Sequence, residues 1–189
     1  KSDRAHHSLA KQFADHTVQR RYMAVCYGVP EANDPRLRGI KGTSFEPGNI
    51  LKVQTFLGRH KMDRQRQAVS FTVGRHAITR SRTLQALGAL PVAALIECWL
   101  ETGRTHQIRV HLAHCGHSLI GDPTYGGKRK LSPKAVGEAG IAAVDAFHRQ
   151  ALHAASLGFV HPVTEEFMEF EAELPADMVA LVTGLGGAV

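Results

Sequence analysis

Between Leu100 and His111 the chain reads Leu-Glu-Thr-Gly-Arg-Thr-His-Gln-Ile-Arg-Val-His, so two arginines, two histidines and a glutamine crowd into nine residues directly after an apolar run. That run, Val92–Leu100, has the length and residue types of a strand, and the segment after it has helical spacing. Thr105 is the expected N-cap of a helix over His106–Cys115, with Gly116 as the stop beyond it. At ~100° per residue, His106, Arg109 and Ala113 share one face and Gln107, His111 and His114 another, leaving Ile108, Leu112 and Cys115 as the core-facing stripe. Any fold for this chain must therefore join a strand end to a helix start and let polar side chains converge there.

The remaining elements surround that junction. Ser2 and Asp3 can cap a short amphipathic helix over 4–15, where Ala5, Leu9 and Phe13 fall on one face. No leader is expected before it. Arg20-Arg21 introduce Tyr22–Tyr27, an apolar run closed by Gly28-Val29-Pro30, as expected of a strand buried on both faces. Residues 31–48 are rich in proline and glycine and form an excursion with no assigned chemistry. Leu51, Val53, Thr55 and Leu57 alternate as a strand, followed by the basic loop Gly58–Arg66, which suits phosphate contact or simple solvation.

Ala68–Val73 and Ala77–Leu84 flank a turn at Gly74, and the second run would project Arg80 and Arg82 from one strand face. Ala77–Leu84 and Val92–Leu100 should pair antiparallel. Gly121–Gly127 is a turn-rich loop, Lys128-Arg129-Lys130 a basic run, and 131–140 a Gly/Pro/Ala-rich stretch within a loop excursion spanning 123–145. A short helix is expected from about Ala142 to Arg149. Leu152–Val160 and Glu165–Phe170 read as a hairpin, a helix follows from Leu174-Pro175 to about Thr183, and Gly184–Val189 should fray.

At 189 residues with 43% hydrophobic and 21% charged content, the chain fits one soluble domain of α+β class, with a central, mainly antiparallel or mixed sheet and flanking helices. No apolar run is long enough to span a bilayer, so a cytoplasmic protein with no membrane partner is expected. Cys26, Cys98 and Cys115 are an odd count without a CxxC pair and read as buried thiols. A net charge of +6 favours a polyanionic partner.

Two chemistries are disfavoured by spacing. His106, His111, His114, Cys115 and His117 could supply zinc donors, but on a helix His106 and His111 lie about 140° apart, and only His111 and His114 share a face. No metal site is expected. A G-x-S-x-G elbow and a phosphate-cradling G-x-x-x-x-G-K-[ST] are both missing, and Cys115 points to the buried stripe.

Thr102–His111, then Gly116-His117 and Gly121-Asp122-Pro123-Thr124-Tyr125-Gly126-Gly127, resembles the signature of the RluA/RluD-type pseudouridine synthases. Arg21-Tyr22-Met23-Ala24, Ala77-Ile78-Thr79, Arg149–Ala154, His161-Pro162 and Pro175–Met178 agree in order, so the resemblance runs over residues 1–189. It implies the C-terminal portion of a catalytic domain that isomerises uridine to pseudouridine. An aspartate attacks the nucleotide, the glycosidic bond breaks, and the base turns and rebonds through carbon. The family's aspartate lies in an H-R-L-D-x-x-T-S-G motif that this sequence does not contain, and Asp3 is not its equivalent. The chain is therefore expected to begin a short way downstream of its nucleophile and to be inactive alone. The alternative is a non-catalytic RNA-binding module of the same fold.

The resemblance also implies roles. Arg109 would pair with the aspartate and keep it ionised. Tyr22 would pack on the target base and serve as a candidate for proton removal at the ring carbon. Leu152 would wall the pocket, and Arg104, His106 and Gln107 would orient RNA phosphates or the motif itself. The implied partner is RNA, of the large-subunit (23S) ribosomal type, bound by a monomer with no cofactor.

Overall fold

A computed structural model describes residues 2–127 and 129–189. Lys1 and Lys128 lie outside the described residues, so the Lys128–Lys130 run is seen only from Arg129 onward. Eight strands form one sheet: β1 (Gln19–Tyr27), β2 (Thr43–Glu46), β3 (Ile50–Arg59), β4 (Gln67–Ser70), β5 (Arg75–Leu87), β6 (Ala93–Leu100), β7 (Leu152–Val160) and β8 (Phe167–Glu171). Their order is β2-β3-β5-β6-β1-β7-β8, with β4 paired to the end of β3 on the edge away from β5. All of these pairings are antiparallel, as expected for an α+β chain.

Strand β1 sits between β6 and β7, which explains its unbroken apolar run. Its alternate residues feed two cores. Val25 and Tyr27 join Leu87, Leu95, Ile120, Met178, Leu181 and Leu185 on one face, while Ala24 and Cys26 join Ala94, Ile96, Cys98, Ile108, Leu112 and Leu119 on the other. The first face is covered by α3 (Pro133–Asp145) and α4 (Ala176–Gly184), and the second by α2 (Gln107–His114). Helix α1 (Asp3–Ala14) is capped by Ser2, whose hydroxyl accepts the Ala5 N–H, but buries no residue. Instead the Gln12 amide donates to Val160 O at 2.7 Å and accepts from Val160 N at 2.8 Å, tying α1 to the end of β7.

Several boundaries differ from expectation. The 31–48 excursion contains a 3-10 turn at Pro35–Leu37 and the edge strand β2, because Thr43–Glu46 can complete a ladder on β3. It also delivers Asp34 to the interior, with Oδ2 3.3 Å from Nε2 of the buried His117. Within 123–145, α3 runs over Pro133–Asp145, earlier than Ala142–Arg149. Proline starts it at the first turn, and Gly137, non-helical at φ 69°, divides it into two helical segments. Residues 184–189 do not fray: Leu185 is buried, Gly187 N–H donates to Val182 O, and Ala188 N–H reaches Gln85 Oε1. All three cysteines are buried thiols, with Cys26 pushed up to about 12 by its burial. Among the described residues no helix is long and apolar enough to cross a membrane.

Candidate active site

Helix α2 is short, and it is buried on almost every side. Ile108 and Leu112 enter the β1/β6 cluster, Val110 packs with Leu57 and Ala77, and Cys115 packs with Leu37, Leu51 and Val53. In place of the one expected core-facing stripe of Ile108, Leu112 and Cys115, three separate apolar contacts leave no wet face for most of its polar residues. Gln107 is 2% exposed and His111 is fully buried, so their polar atoms must find partners in the protein.

They do so in one continuous series. Thr102 Oγ1 accepts from Ile78 N at 3.0 Å and donates to Gln107 Oε1 at 2.7 Å, and that oxygen also accepts from Arg104 N at 3.0 Å. Gln107 Nε2 donates to Ile78 O at 2.8 Å and to Thr79 Oγ1 at 3.0 Å. Thr79 Oγ1 then meets His111 Nδ1 at 2.8 Å, and His111 Nε2 meets Thr55 Oγ1 at 2.9 Å. In the arrangement that also uses the Thr79 hydrogen, Thr79 accepts from Gln107 and donates to His111 Nδ1, and His111 Nε2–H donates to Thr55. Burial, with the nearby His114 adding to it, lowers the His111 pKa to about 3, so the ring is a neutral cross-link. Gln107, for which contact with RNA or ordering of the motif was expected, is buried with its side-chain amide engaged in these bonds.

The entry to α2 also departs from expectation. Thr105 does not cap it; His106 holds the cap position in the left-handed region at φ 56°, with no side-chain cap bond. A non-glycine residue there costs about 1–3 kcal/mol and persists only where its surroundings fix it. The His106 ring meets Tyr125, whose Oη lies 3.0 Å from His106 Nδ1 and accepts the Gln67 N–H at 2.7 Å.

One turn along the same face, Arg109 makes a side-on bidentate pair with Asp122, Nε to Oδ2 at 2.8 Å and Nη2 to Oδ1 at 2.7 Å. Asp122 Oδ1 also accepts from Thr124 N at 2.9 Å and Tyr125 N at 3.0 Å. Burial alone would raise the Asp122 pKa; the Arg109 hydrogen bonds, the two backbone N–H groups and the Arg109 charge reverse this and lower it. The hydrogen bonds to Asp122 likewise raise Arg109, against its burial. Arg109 is thus a permanent cation whose Nη1 takes no part in the pair. Its guanidinium lies 5.0 Å from the Tyr125 ring centroid, and that of Arg66 lies 5.4 Å from the same ring. Gly121 makes the turn possible: at φ 72°, a Cβ would stand 2.1 Å from Arg149 O.

Tyr22 and Leu152 both pack on the apolar cluster that contains Ile108 and Leu112. They sit on adjacent strands, Tyr22 opposite Ala154 and Leu152 opposite Ala24, and the ladder between β1 and β7 skips a residue just before Tyr22. The extra residue is Ala155 of β7, and such a bulge bends the strand that carries it. Tyr22, Leu152 and the Arg109 helix therefore share one sheet face.

Arg104 is half-buried at the rim, with Nε donating to His76 O at 3.0 Å. Its pKa is lowered by burial first, then by the charges of Arg75 and Arg20. These three arginines form a positive cluster beside the α2 entry. Gly103 admits it, since a Cβ there would stand 2.3 Å from Arg20 Nη1. The Nε atoms of Arg20 and Arg66 are buried with no acceptor among the described residues. Likewise among these residues, no group of three His, Cys, Asp or Glu could hold a metal.

Asp122, Tyr125, Arg20 and Arg66 carry much of this geometry without having been singled out. For Asp122 a signal existed: a buried arginine needs a carboxylate, and Asp122 is the first acidic residue after Arg109. Arg80 and Arg82 do project together as expected, but from the other sheet face, where they pair with Glu46, Glu101 and Glu97.

Residues 1–114 match the family described as RNA pseudouridylate synthase. Over 182 residues the chain is 43% identical to a "Ribosomal large subunit pseudouridine synthase D" of Zymomonas mobilis, covering 96% of this chain and 49% of that protein. It is 40% identical over 185 residues to the "Uncharacterized RNA pseudouridine synthase YlyB" of Bacillus subtilis, covering 98% and 50% of the two chains. It is 38% identical over 174 residues to the Escherichia coli K12 protein named "Ribosomal large subunit pseudouridine synthase D", covering 92% and 47%. The chain spans about half the length of these relatives. Its fold superposes on human "RNA Pseudouridylate Synthase Domain Containing 4" with a TM-score of 0.64 at 19% identity, covering 98% of this chain and 69% of that one.

Proposed function

Because the chain belongs to the RNA pseudouridylate synthase family, a family of isomerases, we propose that it is the C-terminal part of a cytoplasmic catalytic domain that converts uridine to pseudouridine in large-subunit ribosomal RNA. The observation that carries this is the gathering of Tyr22, Leu152 and the Arg109-bearing helix on one face of the sheet. Tyr22 packs on the target base and takes the proton leaving its ring carbon, and Leu152 walls the pocket. Arg109, fixed by Asp122 through two of its nitrogens, offers Nη1 to the nucleophilic aspartate and keeps that carboxylate ionised. No metal or organic cofactor enters this scheme.

The rim suits the substrate. Arg20, Arg75, Arg104 and the Gly58–Arg66 loop supply cations for phosphates, and the net charge of +6 adds long-range attraction. A uridine in folded RNA must leave its stack to reach an aromatic side chain set into a sheet face. The energy for this comes from backbone contacts of the kind these arginines make.

The nucleophile belongs to the H-R-L-D motif, which the sequence does not contain. Release of tritium from 5-tritiated uridine in large-subunit ribosomal RNA is the direct assay. The 189-residue polypeptide is expected to bind this RNA without turnover. A chimera carrying the H-R-L-D segment of the Zymomonas relative ahead of it is expected to turn over, and Arg109→Ala or Tyr22→Phe to abolish that turnover. Turnover by the polypeptide alone would refute the assignment of the nucleophile. Binding without turnover in the chimera would favour a non-catalytic RNA-binding module.

A further inference from the structure

We propose that Tyr125 is a positioning residue that fixes the tautomer of His106, so that the ring offers an Nε2–H donor to a bound uridine nucleotide. The nucleotide half of this statement rests on the function proposed above; the tautomer half rests on hydrogen-bond geometry alone.

The Tyr125 hydroxyl has one hydrogen to give and accepts the Gln67 backbone N–H at 2.7 Å. Its other polar neighbour is His106 Nδ1 at 3.0 Å. Were Nδ1 protonated, the hydroxyl would accept twice and its own hydrogen would find no acceptor among the described residues. With Nδ1 bare, every polar hydrogen is used: Gln67 N–H donates to Oη, and Oη–H donates to Nδ1. The neutral ring then carries its hydrogen on Nε2. The half-buried ring makes no hydrogen bond through Nε2 to the described residues, yet Nε2 is not among the buried polar atoms, so it meets solvent.

Each neighbour that faces the ring supports the neutral form or the geometry. Arg109, one turn along α2, repels a second cation, and together with burial it outweighs the attraction of Asp122, so the His106 pKa is lowered. Tyr125 itself is held by the Asp122 turn, by its place beneath two guanidinium groups, and by Gln67 of β4. Its ring meets His106 edge-on, with centroids 5.6 Å apart and planes at 76°. The group presented within reach of the Arg109 charge is therefore a neutral donor, suited to a carbonyl oxygen of the base or a phosphate oxygen.

Two-bond proton–nitrogen correlation spectra of nitrogen-15-labelled, ligand-free protein at pH 8 read the tautomer of each histidine directly. His106 is expected as the Nε2–H form, moving to a mixture with the Nδ1–H form in Tyr125→Phe. An Nδ1–H ring in the wild type would overturn the proposal, as would an unchanged tautomer in folded Tyr125→Phe. Should that variant not fold, 3-fluorotyrosine at position 125 keeps the ring and sharpens the donor. A shifted Nδ1 resonance is then expected, and an unshifted one overturns the proposal. Titration with uridine 5′-monophosphate tests the other half. Movement of the His106 Nε2–H signal supports it, and movement confined to Arg109 overturns the donor role alone. No movement at either residue counts against the proposed function while leaving the tautomer result standing.

Discussion

The two faces of the sheet are filled by opposite means. Beneath α3 and α4 the interior is Val25, Leu87, Leu95, Ile120, Met178, Leu181 and Leu185. Beneath α2 the apolar patches are broken up by Gln107, His111, Thr55, Thr79 and the Arg109–Asp122 pair, all buried. An apolar interior constrains volume, and many combinations of side chains satisfy it. A buried polar network constrains every donor and acceptor, so it fixes one arrangement at the risk of a large penalty if any member is lost. The second face spends stability on position, which is what a site needs.

The contrast can be broken first at Asp122. Removing it by Asp122→Ala leaves the Arg109 guanidinium buried without a counter-charge, and a loss of about 3–5 kcal/mol is expected in urea unfolding. A loss under about 1 kcal/mol would show that Arg109 reaches another acceptor and that its position is not fixed by the pair. On the opposite face Leu181→Ala should cost about 3 kcal/mol through its cavity. The finer comparison uses conservative changes: Met178→Leu should cost less than about 1.5 kcal/mol. Arg109→Lys, which cannot make the side-on pair, should cost more than that despite keeping its charge.

Acid sharpens the contrast further. The His111 pKa is depressed from 6.5 to about 3, so between those values the unfolded chain binds a proton that the native one refuses. Its contribution is fully present above pH 6.5 and falls by about 1.4 kcal/mol per pH unit as the pH drops toward 3. His106 and His117 are lowered in the same direction and add the same sign. His111→Asn should remove one proton's share of the slope between pH 6.5 and 4.5, whereas Leu181→Ala should lower the whole curve without changing the slope. An unaltered slope in His111→Asn would show that the ring is not held neutral. The smallest effect is expected outside both interiors. Arg82 pairs with Glu97 across β5 and β6 but is 48% exposed, so Arg82→Ala should cost under about 1 kcal/mol and depend on salt.

How much of this could be read from the sequence follows the same division. Period and apolar runs disclosed β1, β3, β5, β6, the β7–β8 hairpin and α4, because burial imposes a pattern on consecutive residues. Helix α3 was misplaced because Gly137 and the small residues around it resemble loop chemistry, while the helix is held by packing on α4. The polar site was legible as a concentration of residue types but not as a set of partners. Helical projection separates Gln107 from His106, but it says nothing of Thr55 or Thr79, which arrive from strands far off in sequence. The left-handed His106 took the cap position expected of Thr105, and its side-chain partner, Tyr125, lies nineteen residues on.

The sheet order also sets a timetable. Strand β1 comes first in this chain, but its neighbours are β6 and β7, so Arg21 must find Trp99 and then Ser156. At roughly 5–20 residues per second of synthesis, the first partner arrives several seconds after β1 and the second later still. During that interval Tyr22–Tyr27, an uncharged segment of high β-propensity, has no ladder to join and is the part of the nascent chain most ready to associate with another copy. Arg20-Arg21 before it and Gly28-Val29-Pro30 after it stand where gatekeepers against such association belong. Charge at one end and a backbone that will not extend at the other give the central strand its protection while it waits.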